Sequence, residues 1–302
     1  MSTRLGSGAQ ARLLSNLPSI AKADGTEATG PADIGFAANG SLAVLFGLGG
    51  SPTQRAAVGG GGALLGTLAT YATPMSTAQV VADYAVREQN ENPDRTTEIN
   101  SNPYSMARSG AGFVVADSGA NALWRDGGFT LMGQQNVLGP GGATYAQDSV
   151  PTGVVARPGG GFTVASLGGF PFTVGQSRIF TVGADGTLLG ESKYGLTTIT
   201  DLAYAPDGSL IVSELSATGL LAPTAGDIKR IRAGGSVDLL FGGLIAPTSL
   251  AFGPDGFLYV TNNSISGTDG QVLRYAYSPV PEPATLAALG LGTLAFLRRR
   301  RR

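Results

Sequence analysis

A repeat with a period of 48 residues is the feature that most constrains the fold of this 302-residue chain. Four apolar anchor residues, Met106, Val154, Leu202 and Leu250, follow one another at intervals of 48, and a related segment around Ile34 lies 72 residues before the first of them. Self-similarity at this period indicates stacked copies of one supersecondary unit. The spacing of 72 exceeds the period of 48 by 24, so the first unit carries about 24 extra residues.

Each unit reads as a short strand, a tight turn and a second strand, followed by another hairpin. Turn residues such as Pro206-Asp207-Gly208 and Pro254-Asp255-Gly256 separate segments rich in Val, Leu, Phe and Tyr, as expected for hairpins of largely buried strands. Four strands in about 48 residues are typical of one propeller blade. The sequence predicts an all-β propeller, with a parallel solenoid as the main competing architecture.

The blade count depends on the first residues. Residues 3–17 (TRLGSGAQARLLSNL) resemble the outer hairpin at residues 229–244, with Arg4 aligned to Arg230 and Leu14 to Leu240. Five inner hairpins and this orphan outer hairpin predict six blades, with the first inner hairpin missing from an N-terminally truncated chain. The alternative is a five-bladed ring in which residues 10–16 close the last blade. Residues 1–11 also lack the apolar core of about 7 to 15 residues that a signal peptide has.

Two residue types that support much of enzyme chemistry do not occur. The chain contains no His and no Cys, which excludes a Ser-His-Asp triad, His-ligated zinc, disulfides, iron–sulfur clusters and thiol nucleophiles. Carboxylate, amide, hydroxyl, Tyr, Lys and Arg groups remain, and these suit hard cations or neutral polar ligands. The residue types therefore favour binding over catalysis, although they leave enzymatic activity open.

The C-terminal residues form a segment distinct from the repeats. The tripeptide Pro281-Glu282-Pro283 precedes an apolar run at residues 284–297, and the chain ends in the five cationic residues Arg298, Arg299, Arg300, Arg301 and Arg302. The 14-residue run is short for a membrane span, which needs about 20 residues, but its Arg block is typical of a cytoplasmic stop. Without that block the chain has 15 basic and 21 acidic residues, so nothing in the body indicates nucleic-acid binding.

The three parts of this tail, in this order, resemble the PEP-CTERM protein-sorting tail of Gram-negative bacteria. The resemblance implies recognition of Pro281-Glu282-Pro283 by an exosortase, with export by the Sec machinery, a transient inner-membrane anchor at residues 284–297 that forms a short hydrophobic helix, and a final place on the cell surface or in the extracellular matrix. The predicted domains are accordingly a propeller at residues 1–278 and a sorting tail at residues 279–302.

Seven segments of the blades are distinctive beyond the repeat itself. They are residues 29–36 (TGPADIGF), 46–59 (FGLGGSPTQRAAVG), 99–106 (INSNPYSM), 114–124 (VVADSGANALW), 149–155 (SVPTGVV), 168–175 (GGFPFTVG) and 206–215 (PDGSLIVSEL). With them the blades resemble the ScyD/ScyE family of secreted bacterial propellers, which is related to NHL-type six-bladed propellers and named for its association with pigment biosynthesis. The resemblance implies a fold and an exported location rather than a reaction.

Propeller ligands bind where the innermost strands and the loops between blades converge at the mouth of the central channel. The polar residues predicted there are Asp33, Asn102, Asp117, Glu214, Asn262 and its neighbour Asn263. Such a ring of carboxylates and amides could hold Ca²⁺, as in the gluconolactonase class of propellers. The competing interpretation is that these residues cap turns and strand ends without any ligand.

Three functions follow from these features. The first is a non-catalytic binding or scaffold propeller at the cell surface, with a small molecule or polysaccharide as ligand. The second is a Ca²⁺-dependent lactonase-like hydrolase, and the third is an accessory protein of pigment or matrix assembly. Tyr104, Trp124, Phe170 and Phe172 are candidates for a ligand surface or for packing between blades, and residues 51–77 are expected to form a flexible glycine-rich loop without a phosphate-binding motif.

Overall fold

The computed structural model describes residues 2–6, 9–22 and 28–277. The sorting tail and its predicted helix lie outside the described residues. The strands are β1 (Ser2–Gly6), β2 (Ala9–Leu14), β3 (Pro31–Phe36), β4 (Leu42–Phe46), β5 (Thr67–Tyr71), β6 (Gln79–Asp83), β7 (Pro103–Ser109), β8 (Gly112–Asp117), β9 (Ala122–Arg125), β10 (Gly128–Leu131), β11 (Gln135–Leu138), β12 (Thr144–Gln147), β13 (Pro151–Ala156), β14 (Phe162–Ser166), β15 (Ile179–Val182), β16 (Leu188–Ser192), β17 (Ile199–Tyr204), β18 (Leu210–Glu214), β19 (Gly226–Ile231), β20 (Val237–Leu244), β21 (Leu250–Phe252), β22 (Phe257–Asn262) and β23 (Gln271–Ala276), and the helices are α1 (Pro52–Ala57) and α2 (Tyr84–Glu91).

The strands assemble into blades in chain order. Strands β3–β6, β7–β10, β13–β16 and β17–β20 each form a four-stranded antiparallel sheet, and β21–β23 form a three-stranded one. The innermost strands β3, β7, β13, β17 and β21 contact one another in succession. This arrangement confirms the all-β propeller. The predicted six blades are wrong for the described residues, which form five.

Apolar clusters fill the spaces between blades. Blades one and two share Leu45, Leu68, Met106 and Trp124, and the next interface joins Val114 and Phe180 of blades two and three. Two further clusters join blades three to four and four to five. The core is thus divided among interfaces, so each blade is stabilised by its neighbours.

The repeated anchor residues show which side of each blade is covered. Met106, Val154, Leu202 and Leu250 are between 3% and 9% exposed, because each faces the preceding blade. Ile34 occupies the same position in blade one and is 58% exposed. The difference in burial therefore comes from what packs on the blade and not from the residue type.

The N-terminal hairpin forms a two-stranded sheet of its own, β1 with β2. Its Leu14 packs against Val44, Phe46 and Tyr71 on blade one, much as Leu240 packs against blade five. This placement agrees with the alignment of the two hairpins. In the described residues β2 pairs with β1 and β23 with β22, so residues 10–16 do not close the last blade.

The segment predicted as a flexible loop at residues 51–77 is ordered into elements, and that prediction was wrong. The Ser51 side chain caps α1 by accepting a hydrogen bond from the Gln54 backbone, and the Gln54 side chain accepts one from the Ser51 backbone. Pro52 is the first residue of the helix. Strand β5 then supplies the third strand of blade one, with Leu68 buried. The prediction gave too much weight to the glycine run and overlooked the capping box before it and the apolar strand after it. No helix in the described part of the chain is long and apolar enough to cross a membrane.

Paired alanine substitutions at one repeat position test the interface model of stability. We expect Leu202→Ala to lower the free energy of unfolding by about 2 to 5 kcal/mol, because it opens a cavity between blades three and four. Ile34→Ala should cost less than about 1 kcal/mol, since that side chain is already largely solvated. Urea unfolding of both variants measures the difference, and equal losses would contradict the assignment of the two faces.

Candidate binding site at the central channel

A polar channel of about 540 Å³ opens where the first residues of the innermost strands meet. Every blade contributes to its wall near the start of its innermost strand, and loops from the first two blades complete it. Its wall includes Ile20, Gly30, Asp33, Gly49, Asn102, Tyr104, Ser105, Thr152, Thr200, Asp201, Thr248 and Ser249. The site is thus made by all five blades rather than by one of them.

A β-bulge near the start of the innermost strands places two successive side chains at the channel. The pairing register shifts between Pro103 and Ser105, and at the equivalent residues of β3, β13 and β17. A bulge inserts one unpaired residue and redirects the side chains beside it. As a result Tyr104 and Ser105, although adjacent in the chain, both line the channel.

Three of these side chains also tie one blade to the next. The Asp33 carboxylate accepts a hydrogen bond from the Met106 backbone at 2.8 Å. At the equivalent position, Ser105 accepts from the Val154 backbone at 3.2 Å and Asp201 accepts from the Leu250 backbone at 2.9 Å. We call this set of blade-to-blade contacts the channel belt.

Threonines one residue earlier in the repeat add a second set of contacts to the channel belt. The Thr152 hydroxyl donates to the Ile199 carbonyl of the next blade at 2.6 Å. The Thr200 hydroxyl donates to the Pro247 carbonyl at 3.1 Å. The same hydroxyls line the channel, so the residues that hold the blades together also set the chemistry of its wall.

Burial changes the titration of the channel groups. It raises the pKa of Asp201 to about 7, and the negative charge of Asp33 adds to this. Burial likewise raises the pKa of Asp33 to about 6 and that of Tyr104 to about 12. Backbone donors oppose these shifts at both carboxyls. The two carboxyls therefore change charge near neutral pH, while Tyr104 remains a neutral hydroxyl.

The structure brings two of the predicted site residues to the channel. Asp33 lies in its wall, and Asn102 lies at its edge, where Asn102 Oδ1 accepts a hydrogen bond from the Leu48 backbone at 3.2 Å. Asp117, Glu214 and Asn262 lie instead at the ends of the second strands, facing the loop that enters each blade. Asn263 follows Asn262 and donates to the Asp269 carbonyl.

These three strand-end residues make structural hydrogen bonds. Buried Asp117 accepts hydrogen bonds from the Asn102 backbone at 2.6 Å and from the Trp124 indole at 3.0 Å. Buried Glu214 accepts from the Thr197 backbone at 2.5 Å and forms an ion pair with Lys229. Asn262 accepts from the Ile245 backbone at 2.8 Å.

Burial raises the pKa of Asp117 and of Glu214, against the effect of their donors. In each case the side chain fixes the entry loop, as the capping interpretation expects.

A Ca²⁺ site in the channel would draw on few carboxylates. Asp33 Oδ1 accepts a hydrogen bond from the Ile34 backbone, and Asp33 Oδ2 accepts one from the Met106 backbone. Asp201 accepts hydrogen bonds from the Leu202 and Leu250 backbones and from the Ser249 hydroxyl. Among the residues that the structure describes, no group of three or more acidic side chains is placed to hold a metal. Ca²⁺ takes roughly six to eight oxygen ligands, so the channel residues fit a polar organic ligand better than this ion.

Several channel residues were not predicted as site residues, although the repeat contains the signal for them. Ser105, Asp201 and Ser249 each stand immediately before an apolar anchor residue, and Thr152, Thr200 and Thr248 stand two before it. A strict strand alternation would send only one of each pair to the channel. The bulge that brings both there is not visible in the residue pattern.

An aromatic cluster lies on the same side of the propeller as the channel mouth. The rings of Tyr145 and Phe170 have centroids 5.2 Å apart, Phe170 and Phe172 lie 6.3 Å apart, and Phe170 is 50% exposed. Gly139 packs so closely against Tyr145 and Pro171 that a Cβ atom would not fit there. Trp124, by contrast, is fully buried and serves blade packing.

The position of this cluster follows from strand pairing. Ser166, at the end of β14, pairs with Pro151 at the start of β13, next to channel residue Thr152. The loop that carries Phe170 leaves β14 at this end. We call Tyr145, Phe170 and Phe172 the aromatic platform.

The fold and the channel define a five-bladed β-propeller with a polar site at its axis. Its C-terminal residues 279–302 match the family model of the PEP-CTERM protein-sorting motif. This match confirms the predicted sorting tail, which indicates recognition by an exosortase and export with membrane-linked sorting in a Gram-negative bacterium. The comparison with proteins of curated function finds no match in sequence.

Solved structures similar to this chain include three with different activities. A streptogramin B lyase shares 16% identity, with 88% of this chain and 73% of that chain covered and a TM-score of 0.42. A gluconolactonase from Xanthomonas campestris shares 17% identity, over 60% of this chain and 62% of that chain, with a TM-score of 0.40. A luciferin-regenerating enzyme shares 14% identity, over 81% and 76%, with a TM-score of 0.45.

The raised pKa of Asp201 predicts how stability changes with pH. A carboxyl whose pKa is near 7 in the folded chain and 3.8 in the unfolded chain binds its proton more tightly when folded, so the free energy of unfolding falls as pH rises from about 4 to about 7. Asp201→Ser should flatten this fall without breaking the channel belt, because Ser already makes the same contact at position 105. Urea unfolding across this pH range measures the slope.

The control for this test is Asp255→Asn. Hydrogen bonds from Tyr259 and Arg274 lower the pKa of Asp255, so this carboxyl is ionised in both the folded and the unfolded chain above about pH 5. Its substitution should leave the slope between pH 5 and pH 7 unchanged. Identical slopes for wild type and Asp201→Ser would contradict the raised pKa in the channel.

Proposed function

We propose that this protein is an exported propeller, sorted to the cell surface or extracellular matrix, that binds a neutral saccharide without catalysing a reaction on it. The proposal deepens the predicted small-molecule or polysaccharide binding. Export by the Sec pathway and a final place at the surface are parts of the proposal, as is the relation of the blades to the ScyD/ScyE family. The sorting tail supports the exported location.

The observation that carries the proposed ligand is the aromatic platform on the same side of the propeller as a channel lined by hydroxyl groups. Aromatic rings present flat apolar faces, and binding sites commonly combine such faces with a few placed polar groups. The exposed ring of Phe170 offers the apolar face, while Tyr104 and Thr248 offer hydroxyls in the channel wall. A sugar ring, with its apolar C–H face and its hydroxyl edge, matches both surfaces.

The bonding of the carboxyls supports binding rather than hydrolysis. A general acid or base must reach the substrate, yet Asp33 and Asp201 are engaged in the channel belt and Glu214 is engaged with Thr197 and Lys229. The lactonase-like hydrolase therefore stays the second candidate, and it requires Ca²⁺-dependent turnover that Glu214→Gln abolishes. A role in pigment or matrix assembly remains compatible with saccharide binding.

Substitutions at the two surfaces test the ligand. The probe is a panel of neutral glucan, mannan and galactan hexasaccharides, titrated calorimetrically into the purified chain. We expect Phe170→Ala to weaken the binding of the best hexasaccharide by about tenfold, because it removes one stacking face worth about 1 kcal/mol or more. Tyr104→Phe should weaken the same binding by a smaller factor, since only one hydroxyl is lost.

Leu239→Ala provides the matched control. Leu239 is also a large exposed apolar residue, but it lies on β20, the outer strand of blade four. Its substitution should leave hexasaccharide affinity unchanged. A panel without any binding, or equal losses from Phe170→Ala and Leu239→Ala, would reject the proposed ligand.

The sorting tail gives an independent prediction. Replacing Pro281 and Pro283 by Ala removes the tripeptide that an exosortase recognises, so the protein should accumulate in the inner-membrane fraction of the producing bacterium. Pro279→Ala, two residues upstream of Pro281, is the control and should reach the same final fraction as wild type. Fractionation with immunodetection of the propeller checks the result. Unchanged distribution of the double variant would argue against sorting through this tripeptide.

A further inference from the structure

Helix α2 lies in the connection between blades one and two, away from the channel wall. The Tyr84 and Trp124 rings have centroids 6.4 Å apart. The Arg87 guanidinium lies 4.5 Å from the Trp124 ring centroid and donates to the Arg125 and Gly128 carbonyls. Glu88 follows Tyr84 by one helical turn and therefore points to the same side of the helix. Its side chain is fully buried.

Four buried acceptor oxygens in this region have no hydrogen-bond donor among the described residues. They are both carboxylate oxygens of Glu88, Oδ1 of Asn92 and Oδ1 of Asn100. Leaving one buried acceptor unpaired costs about 1 to 3 kcal/mol, and more for a charged group. Fully buried Asp117 shows the usual solution, since it accepts hydrogen bonds from Ser101, Asn102 and Trp124.

These acceptors belong to segments that meet. Asn92 is the C-cap residue of α2 and lies one helical turn after Glu88. Its backbone N–H donates to the Glu88 carbonyl at 2.9 Å. Asn100 lies against the turn after β8, where a Cβ atom on Gly119 would come within 2.9 Å of Asn100 Oδ1. Asn121 of the same turn donates to Asp94 at 3.1 Å. The end of α2, the loop at residues 92–100 and this turn therefore lie next to one another.

The charge of the region is negative. The carboxylates of Asp117, Asp94 and Glu91 lie close enough to repel a negative charge on Glu88. The neighbouring Arg87 is committed to Glu91 and to the Trp124 ring. A positive charge at the Glu88 oxygens would relieve both the repulsion and the missing hydrogen bonds.

We propose that Glu88, Asn92 and Asn100 hold a Ca²⁺ ion. The ligands would be the two Glu88 oxygens and the two amide oxygens, with water completing the shell of roughly six to eight oxygens. A bidentate carboxylate with amide oxygens suits Ca²⁺ better than Mg²⁺, which demands near-octahedral geometry. With one carboxylate ligand, the expected dissociation constant is in the range of extracellular modules, about 10⁻⁴ to 10⁻³ M, which matches an exported protein.

Calcium titration of the full chain tests the site, by calorimetry and by the shift of the unfolding temperature in Ca²⁺ relative to EDTA. We expect wild type to bind Ca²⁺ and to unfold several degrees higher in its presence, since an ion that binds only the folded chain stabilises it. Glu88→Gln should weaken Ca²⁺ binding by about tenfold or more and abolish the temperature shift. Asn100→Asp should strengthen binding, because it adds a charge to the ligand set.

Two controls separate this site from others. Glu91→Gln removes a charge from an exposed face of the same helix and should retain Ca²⁺ affinity within about threefold. Asp201→Ser removes a carboxylate of the channel and should retain the affinity and the temperature shift. Loss of Ca²⁺ binding in Asp201→Ser with retention in Glu88→Gln would move the ion to the channel and overturn the proposal.

The highest Ca²⁺ concentration in the titration is about 10 mM, ten times the upper end of the expected range of dissociation constants. The proposal would also be overturned if the wild type neither bound Ca²⁺ at this concentration nor changed its unfolding temperature. In that case Glu88 is a buried neutral acid, and Glu88→Gln should fold with wild-type stability. This outcome leaves hexasaccharide binding untouched, so the two proposals fail separately.

Discussion

The channel belt is the constraint on which the rest of the structure depends. A propeller has no single core, because its apolar residues lie between blades, so the innermost strands must be fixed to each other at the axis. Side chains at one repeat position do this by accepting the backbone N–H of the next anchor residue, as Asp33, Ser105 and Asp201 show. Each bond satisfies a backbone donor at the start of the next innermost strand.

This constraint restricts what the channel can do chemically. The side chains that join one blade to the next there are short and carry oxygen, because these reach the next strand. Burial brings the pKa values of Asp201 and Asp33 toward neutrality. Residues that hold the blades together are poorly placed to serve also as free acid, base or metal ligand. The aromatic platform has no part in holding the blades together at the channel, since it is built on a loop and on the separate β11–β12 hairpin. Its side chains are therefore available to a ligand.

The fold is predictable from the sequence through the anchor residues and the turns. The spacing of Leu202 and Leu250 gave the blade length, and Asp207 does close a turn by accepting a hydrogen bond from the Ser209 backbone. The site is less predictable. Asp33 and Asn102 lie at the channel, whereas Asp117, Glu214 and Asn262 face loops, because a polar residue at a strand end has the same pattern whether it faces a ligand or a backbone amide.

The sequence by itself determined the blade period, the antiparallel hairpins and the sorting tail, since each is encoded by local spacing, turn residues or contiguous composition. Only the tertiary structure decided the blade count, the exposure of Ile34 and the bulges that pair Tyr104 with Ser105 at the channel. It also decided that Glu88, in an ordinary polar stretch of the first unit, is buried without a donor. These properties depend on which segments meet, and burial and hydrogen-bond satisfaction are set by those neighbours rather than by the residues alone.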